Sequence, residues 1–132
     1  MKKVFLGGTC NESTWRDEII PMLNIEYYNP VVEDWTPECM VEERKQREEC
    51  DFCLYVITPK MTGVYAIAEV VDDSNKRPVK TVFVVLPADG ESSFTEAQIR
   101  SLGQVSEMVR RNGGVAVSTM EKAVNFLNTF SV

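Results

Sequence analysis

The chain has 132 residues, of which 44% are hydrophobic, and its 14 basic and 20 acidic residues leave a formal charge of −6. This length and hydrophobic content predict a single domain over residues 1–132 with a core of its own. The negative charge argues against binding to duplex nucleic acid. The lack of any histidine in the sequence excludes Ser-His and Cys-His nucleophile pairs and most zinc and iron sites.

The compartment is predicted from apolar runs and cysteines. No stretch reaches the roughly 20 apolar residues that cross a bilayer, and Met1 precedes a short strand rather than a secretion signal, so we expect a cytoplasmic protein that does not bind membranes. Cys50 and Cys53 have the spacing of a redox or metal-binding pair. They precede and enter a strand, however, whereas a reactive pair is typical of a helix N-terminus, which favours a buried or helix-end pair.

The first predicted strand, residues 4–6, ends in Gly7 and Gly8, which let the backbone turn and approach a ligand closely. Neither a GxGxxG fingerprint nor a P-loop accompanies them, which disfavours dinucleotides and nucleoside triphosphates as ligands. Asn11 or Ser13 can cap the helix that follows.

That first helix turns Trp15 to one side together with other apolar residues, and Pro21 should kink it or end its regular part. Arg16 lies in its first turn, where the helix dipole prefers acidic residues. Two alternatives follow. Arg16 either pairs with Glu12 or points into a cleft to meet an anion or a carboxylate.

Residues 25–28 form a second, half-exposed strand, and the loop after it offers hydrogen-bonding groups at Asn29 and Asp34 and an aromatic plate at Trp35. This combination suits a ligand, although a Trp that only covers the edge of the core explains it as well. Thr36 then caps a mostly charged helix that starts with Pro37 and runs to about residue 49. We expect that helix to be solvent-exposed.

Residues 52–57 are continuously apolar and predict a strand buried on both faces, after which Thr62 and Gly63 open a helix. Glu69 lies beside the predicted apolar stripe of that helix and has no cation three or four residues away, whereas Asp72 and Asp73 are near. Both features should raise its pKa. A solvated helix glutamate is the alternative. The predicted stripe consists of Val64, Ile67, Ala68 and Val71.

The remaining chain continues the alternation, with a strand at residues 81–86, a loop at 87–93, a helix at 95–111, a strand at 115–117 and a final helix. Alternating strands and helices predict a three-layer, doubly wound α/β fold with a five-stranded parallel sheet, flavodoxin-like, in the order 2-1-3-4-5. The loops after its first three strands should line one cleft. Asp51 is the exception, because it lies at the start of its strand.

Several short stretches resemble the nucleoside 2-deoxyribosyltransferase superfamily. They are residues 5–8, 50–51, 62–69 and 75–78. Residues 7–11, 14–16, 29–32 and 34–35 are similar to its small nucleoside 2-deoxyribosyltransferase-like branch. The resemblance covers about the first two thirds of the chain.

The resemblance implies roles for three residues. In the superfamily a glutamate early in the helix after the third strand attacks the anomeric carbon, an aspartate near the preceding strand helps to handle the base, and an aromatic residue ending the first strand lines the site. These correspond to Glu69, Asp51 and Phe5. The spacing from Gly63 to Glu69 is six residues, whereas four are usual in the superfamily.

The resemblance predicts cleavage or transfer at the N-glycosidic bond of a (deoxy)nucleoside or nucleotide, with no cofactor or metal. Asp34 or Asp51 would protonate the leaving base. The alternative is a non-catalytic nucleotide-binding module of the same fold. We also expect a homo-oligomer, because the superfamily completes its sites across subunits and the C-terminus is apolar. The predicted binding residues are Phe5, Gly7, Gly8, Asn11, Trp15, Arg16, Asn29, Trp35, Thr62 and Gly63.

Overall fold

The computed structural model describes residues 1–10 and 12–131, so the predicted binding residue Asn11 lies outside the described residues. The strands, in chain order, are Lys3–Gly8 (β1), Glu26–Tyr28 (β2), Phe52–Ile57 (β3), Thr81–Val85 (β4), Ala88–Asp89 (β5), Ser92–Ser93 (β6) and Val115–Val117 (β7). The α-helices are Trp15–Ile19 (α1), Pro37–Glu49 (α2), Tyr65–Lys76 (α3), Glu96–Arg111 (α4) and Met120–Asn128 (α5).

The main sheet has the strand order β2-β1-β3-β4-β7, and its neighbouring strands are all parallel. Since β7 is the fifth strand of this sheet, the predicted flavodoxin-like order is confirmed. The segment expected to be a plain loop at residues 87–93 contains a separate antiparallel ribbon of β5 and β6. No helix among residues 1–10 and 12–131 is both long enough and apolar enough to cross a membrane.

Two apolar cores lie on the two faces of the sheet. One joins the sheet to α1 and α5, through residues such as Trp15 and Leu127, and the other joins it to α3 and α4, through Val70 and Val109. Every residue of β3 is buried, as a strand covered on both faces requires. Of the apolar C-terminal residues, Leu127 lies in the first core. Phe130 packs its ring 4.9 Å from that of Phe52 but remains 38% exposed.

The buried face of α3 differs from the predicted stripe. Val64 precedes the helix and is 72% exposed, and Ala68 is also exposed, so the prediction for these two residues was wrong. The helix instead turns Val70, Asp73 and Ser74 inward. The apolar pattern missed this face because two of its residues are polar, and such groups are buried only where they find hydrogen-bond partners.

The start of α1 also differs from expectation, whereas its end does not. Thr14 occupies the N-cap position, and Ser13 does not cap the helix but donates from its hydroxyl to Asp89 Oδ2 at 2.6 Å. Lys60 Nζ lies 3.9 Å from Asp89 Oδ1 and donates to the carbonyl oxygen of Glu12 at 3.3 Å. Asp89 of the β5 and β6 ribbon therefore connects the loops that follow β1 and β3. The helix ends before Pro21, as predicted.

The two glycines of the first strand allow close contact with β3. Gly8 has φ of 111°, and a Cβ added to it would lie 2.1 Å from the carbonyl oxygen of Val56, its partner in the sheet. A Cβ on Gly7 would lie 2.6 Å from the ring of Tyr55. A larger residue at either position would therefore clash with β3, and only glycine fits without a shift of its neighbours.

We expect Gly8→Ala to lower the free energy of unfolding by about 2–4 kcal/mol, because the methyl group meets backbone atoms and the positive φ is strained. Gly103→Ala is the matched control. It lies in α4, and an added Cβ meets nothing within 4 Å. This change should stabilise the protein by about 0.5–1 kcal/mol. Urea denaturation measures both, and equal effects of the two substitutions would contradict the steric explanation.

Candidate active site

A cavity of about 250 Å³ lies at the carboxyl ends of β1 and β3. The loop after β1 contributes residues 8–10, the loop after β3 contributes residues 61–63, and the first turns of α3 contribute Tyr65 and Glu69. Glu43 of α2 completes one wall. Ligands of open α/β sheets bind at this edge, where the strand order reverses, so the cavity occupies the expected place.

A second cavity of about 260 Å³ adjoins the first, and the two share Glu43, Tyr65 and Glu69. Its other lining residues are Trp35, Met40, Arg44 and Arg47. We call the two cavities together the cleft. Both shared carboxyl groups therefore face the cleft where its two halves meet, and the exposed rings of Trp35 and Tyr65 lie along its second half.

Glu69 is the most strongly perturbed carboxyl group of the cleft. Its side chain is 18% exposed, and its Oε2 lies 3.5 Å from Arg47 Nη1. Its pKa is raised to about 7, chiefly by burial; the charge of Arg47 opposes this rise, and the charges of Glu43 and Asp73 add to it. The predicted rise in the pKa of Glu69 is confirmed, and burial is its main cause. The cation that α3 does not supply is Arg47 of α2. Glu69 can therefore gain or lose a proton near neutral pH.

Glu43 is a cleft residue that the sequence analysis missed. It was expected on a solvent-exposed helix face, but it is half-buried and lines both halves of the cleft. Burial raises its pKa, and the charges of Arg47 and Arg16 oppose that rise. One signal was present in the sequence. Glu43 lies one helical turn before Arg47 and therefore shares its face.

Arg47 belongs to a buried cluster that joins α2, β3 and α3. Its Nη2 donates to Asp73 Oδ1 at 2.9 Å and its Nε donates to the hydroxyl of Tyr55 at 3.1 Å. The Tyr55 hydroxyl in turn donates to Asp73, which is fully buried, and Arg77 also pairs with Asp73. We call Arg47, Tyr55, Asp73 and Arg77 the buried ion cluster.

The buried ion cluster keeps its charges despite its burial. Burial would raise the pKa of Asp73, but hydrogen bonds from Arg47, Tyr55 and Arg77 outweigh it and hold the pKa below its usual value. Burial likewise opposes the charge of Arg47, and the hydrogen bond to Asp73 reverses the effect and raises its pKa. Arg47 therefore stays a fixed cation beside Glu69.

Trp15 and Arg16 are buried. Their side chains form hydrogen bonds to the end of β1 and do not line the cleft. Trp15 Nε1 donates to the carbonyl oxygen of Thr9 at 2.8 Å, and Arg16 donates from Nη1 to the same oxygen at 2.7 Å and from Nε to the carbonyl oxygen of Leu6 at 3.0 Å. The structure thus shows neither of the alternatives expected for Arg16. Backbone carbonyls of β1 and of the loop after it take up its donors, which satisfies the buried guanidinium.

Phe5 is also part of the scaffold. It is buried, and its ring stacks on Tyr28 at 5.9 Å and tilts against Tyr55 at 6.2 Å. Gly7 lies beside the same Tyr55 ring. Of the predicted residues of the first loop, Gly8 lines the cleft, as do Thr62 and Gly63 of the third.

The two predicted aspartates are not among the lining residues of the cleft. Asp51 lies at the opposite end of β3, where its carboxylate accepts a hydrogen bond from the backbone of Lys3 at 2.9 Å. Asp34 is exposed. Asn29 accepts a hydrogen bond from the backbone of Val31 at 3.1 Å, which shapes the turn before Trp35.

Cys50 and Cys53 are both buried and free of disulfide bonds. Burial raises the pKa of Cys50 and raises that of Cys53 to about 12, so both stay protonated thiols. In the described part of the chain, no three acidic or cysteine side chains group so that they could hold a metal ion.

We expect Asp73→Asn to lower the free energy of unfolding by about 3–5 kcal/mol, because it removes the charge of the buried carboxylate that both Arg47 and Arg77 bind. Asp72→Asn is the matched control. Asp72 is the neighbouring residue, its side chain is 44% exposed, and it pairs with Lys76 and Arg47. Its loss should cost less than about 1 kcal/mol. Urea denaturation compares the two, and a similar loss in both would contradict this account of the cluster.

Glu69 should also make stability depend on pH. Its pKa is about 7 in the folded protein against an ordinary 4.5, so the folded state holds the proton more tightly. Its contribution to the free energy of unfolding is therefore present below about pH 4.5 and is lost as the pH rises through about 7.

We expect wild type to lose roughly 1–3 kcal/mol of stability relative to Glu69→Gln between about pH 4.5 and pH 8, since glutamine does not titrate. Urea denaturation of both proteins at several pH values measures this difference. A difference that stays constant across the range would contradict the raised pKa of Glu69.

The residues that line the cleft lie in a part of the chain that matches a known protein family. Residues 1–85 match the model of a family described as nucleoside 2-deoxyribosyltransferase like. This part covers 85 of the 132 residues and includes β1 to β4 and all the residues that line the cleft. Among curated protein sequences, no significant match was found.

Proposed function

The chain belongs to the nucleoside 2-deoxyribosyltransferase-like family. We propose that it cleaves the N-glycosidic bond of a (deoxy)nucleoside, by hydrolysis or by transfer of the sugar to a second base, with Glu69 as nucleophile. One observation carries the proposal. The Glu69 carboxyl is mostly buried, faces both halves of the cleft and has a pKa near neutrality, which solvated glutamates lack.

The proposed reaction is a double displacement at the sugar. The Glu69 carboxylate attacks the anomeric carbon as the bond to the base breaks, through an oxocarbenium-like transition state. The resulting glycosyl ester is resolved by water, which gives hydrolysis, or by a second base, which gives transfer. Both outcomes retain the configuration of the anomeric carbon.

Arg47 has a defined part in this mechanism. Its guanidinium, held by the buried ion cluster, lies 3.5 Å from the Glu69 carboxylate and lowers the pKa that burial raises. It therefore maintains a fraction of ionised Glu69 at neutral pH. It also fixes the direction of the carboxylate, and such pre-organisation favours attack on a bound sugar.

The lining of the cleft bears on the substrate. Glu43 and Glu69 line the first half, and no lysine or arginine is among its described lining residues. The second half holds Arg44 and Arg47, of which Arg47 is already paired with Asp73 and Glu69. Because the carboxylates of the first half disfavour a phosphate group beside Glu69, we propose an uncharged nucleoside as the preferred substrate. The exposed rings of Trp35 and Tyr65 in the second half suit stacking on the base.

A second candidate function is nucleotide binding without catalysis. Two observations favour it. The interval from Gly63 to Glu69 is longer than the usual spacing in the superfamily, and the Glu69 carboxylate is paired with Arg47. A binding module would retain the cleft but leave the bond between base and sugar intact.

The decisive experiment is incubation with a panel of nucleosides, 2′-deoxynucleosides and their 5′-monophosphates, followed by chromatography for free base. We expect base release from at least one uncharged nucleoside, at a higher kcat/KM than from its monophosphate. Glu69→Gln should lower the rate at least 10³-fold, equivalent to roughly 4 kcal/mol or more, because it removes the attacking charge.

Glu107→Gln is the control for this experiment, because Glu107 is an exposed residue of α4 and is not among the lining residues of the cleft. It should release base like wild type. Base release by Glu69→Gln at the wild-type rate would refute the nucleophile assignment. Nucleotide binding without base release by any of the proteins would support the binding module instead.

A further inference from the structure

The proposed reaction leaves one proton unassigned. A purine or pyrimidine leaves the sugar far more easily when a carboxylic acid protonates it during bond cleavage. Asp51 lies at the far end of β3, and Asp34 is exposed and is not among the lining residues of either half of the cleft. The two aspartates expected to act as this acid therefore lie outside the cleft of their own chain.

We propose that Glu43 is the acid-base partner of Glu69, an inference that rests on the proposed function. Glu43 and Glu69 are the two acidic residues of the described lining of the cleft, and both face each of its halves. They come from different helices, α2 and α3, which the Arg47 contact with Glu69 and Asp73 holds together. The two carboxyls are close enough for the charge of Glu43 to disfavour ionisation of Glu69.

The charges around the pair divide its roles. Arg47 forms an ion pair with Glu69 at 3.5 Å, whereas it forms none with Glu43 in the part of the chain that the structure describes. Burial makes each carboxyl hold a proton more firmly, and the charge of Glu43 further disfavours ionisation of Glu69. The pair therefore titrates as a unit, and its form with one proton is the useful one. In that form burial favours the proton on Glu69, whose pKa is the more strongly raised of the two. The reactive arrangement has the charge on Glu69 and the proton on Glu43, and the Arg47 contact with Glu69 at 3.5 Å stabilises it.

The first step uses that proton. A Glu69 oxygen forms a bond to the anomeric carbon, the bond to the base nitrogen breaks, and its electron pair goes to the base. The base takes the proton of the Glu43 carboxylic acid, so Glu43 becomes a carboxylate and Glu69 becomes a glycosyl ester. In hydrolysis, Glu43 then accepts a proton from water as the water oxygen attacks the anomeric carbon. The ester bond breaks, and both residues return to their starting forms.

Two substrates that differ in their need for the proton test this role. The base of 2′-deoxyinosine needs a proton in order to leave as a neutral molecule. The base of 7-methyl-2′-deoxyguanosine already carries a positive charge and leaves as a neutral molecule without one. We expect Glu43→Gln to lower the single-turnover rate of base release from 2′-deoxyinosine by about 100-fold or more. Its rate on 7-methyl-2′-deoxyguanosine should stay within about threefold of the wild-type rate. A purely structural role for Glu43 would slow both substrates equally.

Two further variants serve as controls. Glu42→Gln changes the neighbouring residue of α2, which accepts a hydrogen bond from Gln46 and does not line the cleft, and it should release base from both substrates like wild type. Glu43→Asp keeps a carboxylic acid and should recover part of the rate on 2′-deoxyinosine. It also covers the case in which Glu43→Gln fails to fold.

The outcomes separate this inference from the proposed function. Equal losses on the two substrates in Glu43→Gln, or no loss on either, would overturn the role of Glu43 and leave Glu69 as nucleophile. If Glu43→Gln does not fold, Glu43→Asp decides. An equal loss of rate on the two substrates would overturn the role of Glu43, and a larger loss on 2′-deoxyinosine would support it. Wild type that releases no base from any nucleoside would refute the proposed function, and the inference with it.

Discussion

The contact between Arg47 and Asp73 is the constraint on which the cleft depends. Asp73 is fully buried, so its charge is tolerable only because Arg47, Tyr55 and Arg77 all bind it. This requirement ties α2 and α3 to the central strand β3. It also fixes the guanidinium that contacts Glu69 at 3.5 Å. The same ion pair that stabilises the packing of two helices thus sets the position and the charge of the candidate nucleophile.

Much of the fold could be predicted from the sequence because its signals are local. The continuous apolar run of β3, the Thr36 and Pro37 start of α2 and the break at Pro21 each depend on a few neighbouring residues, and the structure shows all three. The inward face of α3 could not be predicted in this way. Asp73 and Ser74 are buried through partners on other elements, and an analysis of apolar periodicity places such residues outside.

The candidate site was predictable in outline, since strand ends of a doubly wound sheet bring Gly8, Gly63 and Glu69 to one edge. The partners of Glu69 were not predictable. Arg47 is 22 residues away in the sequence, and only the packing of α2 on α3 brings it within 3.5 Å. For the same reason Glu43 was predicted to be a surface residue. Arg16, which was a candidate to bind an anion, donates to backbone carbonyls instead.

The ribbon of β5 and β6 has a consequence for the energetics of binding. Its Asp89 accepts the Ser13 hydroxyl and lies 3.9 Å from Lys60, so one carboxylate connects the two loops that border the first half of the cleft. Loops connected in this way have already lost much of their conformational entropy when the protein folds. A ligand that enters between them therefore does not have to supply that entropy, and more of its contact energy is available as affinity.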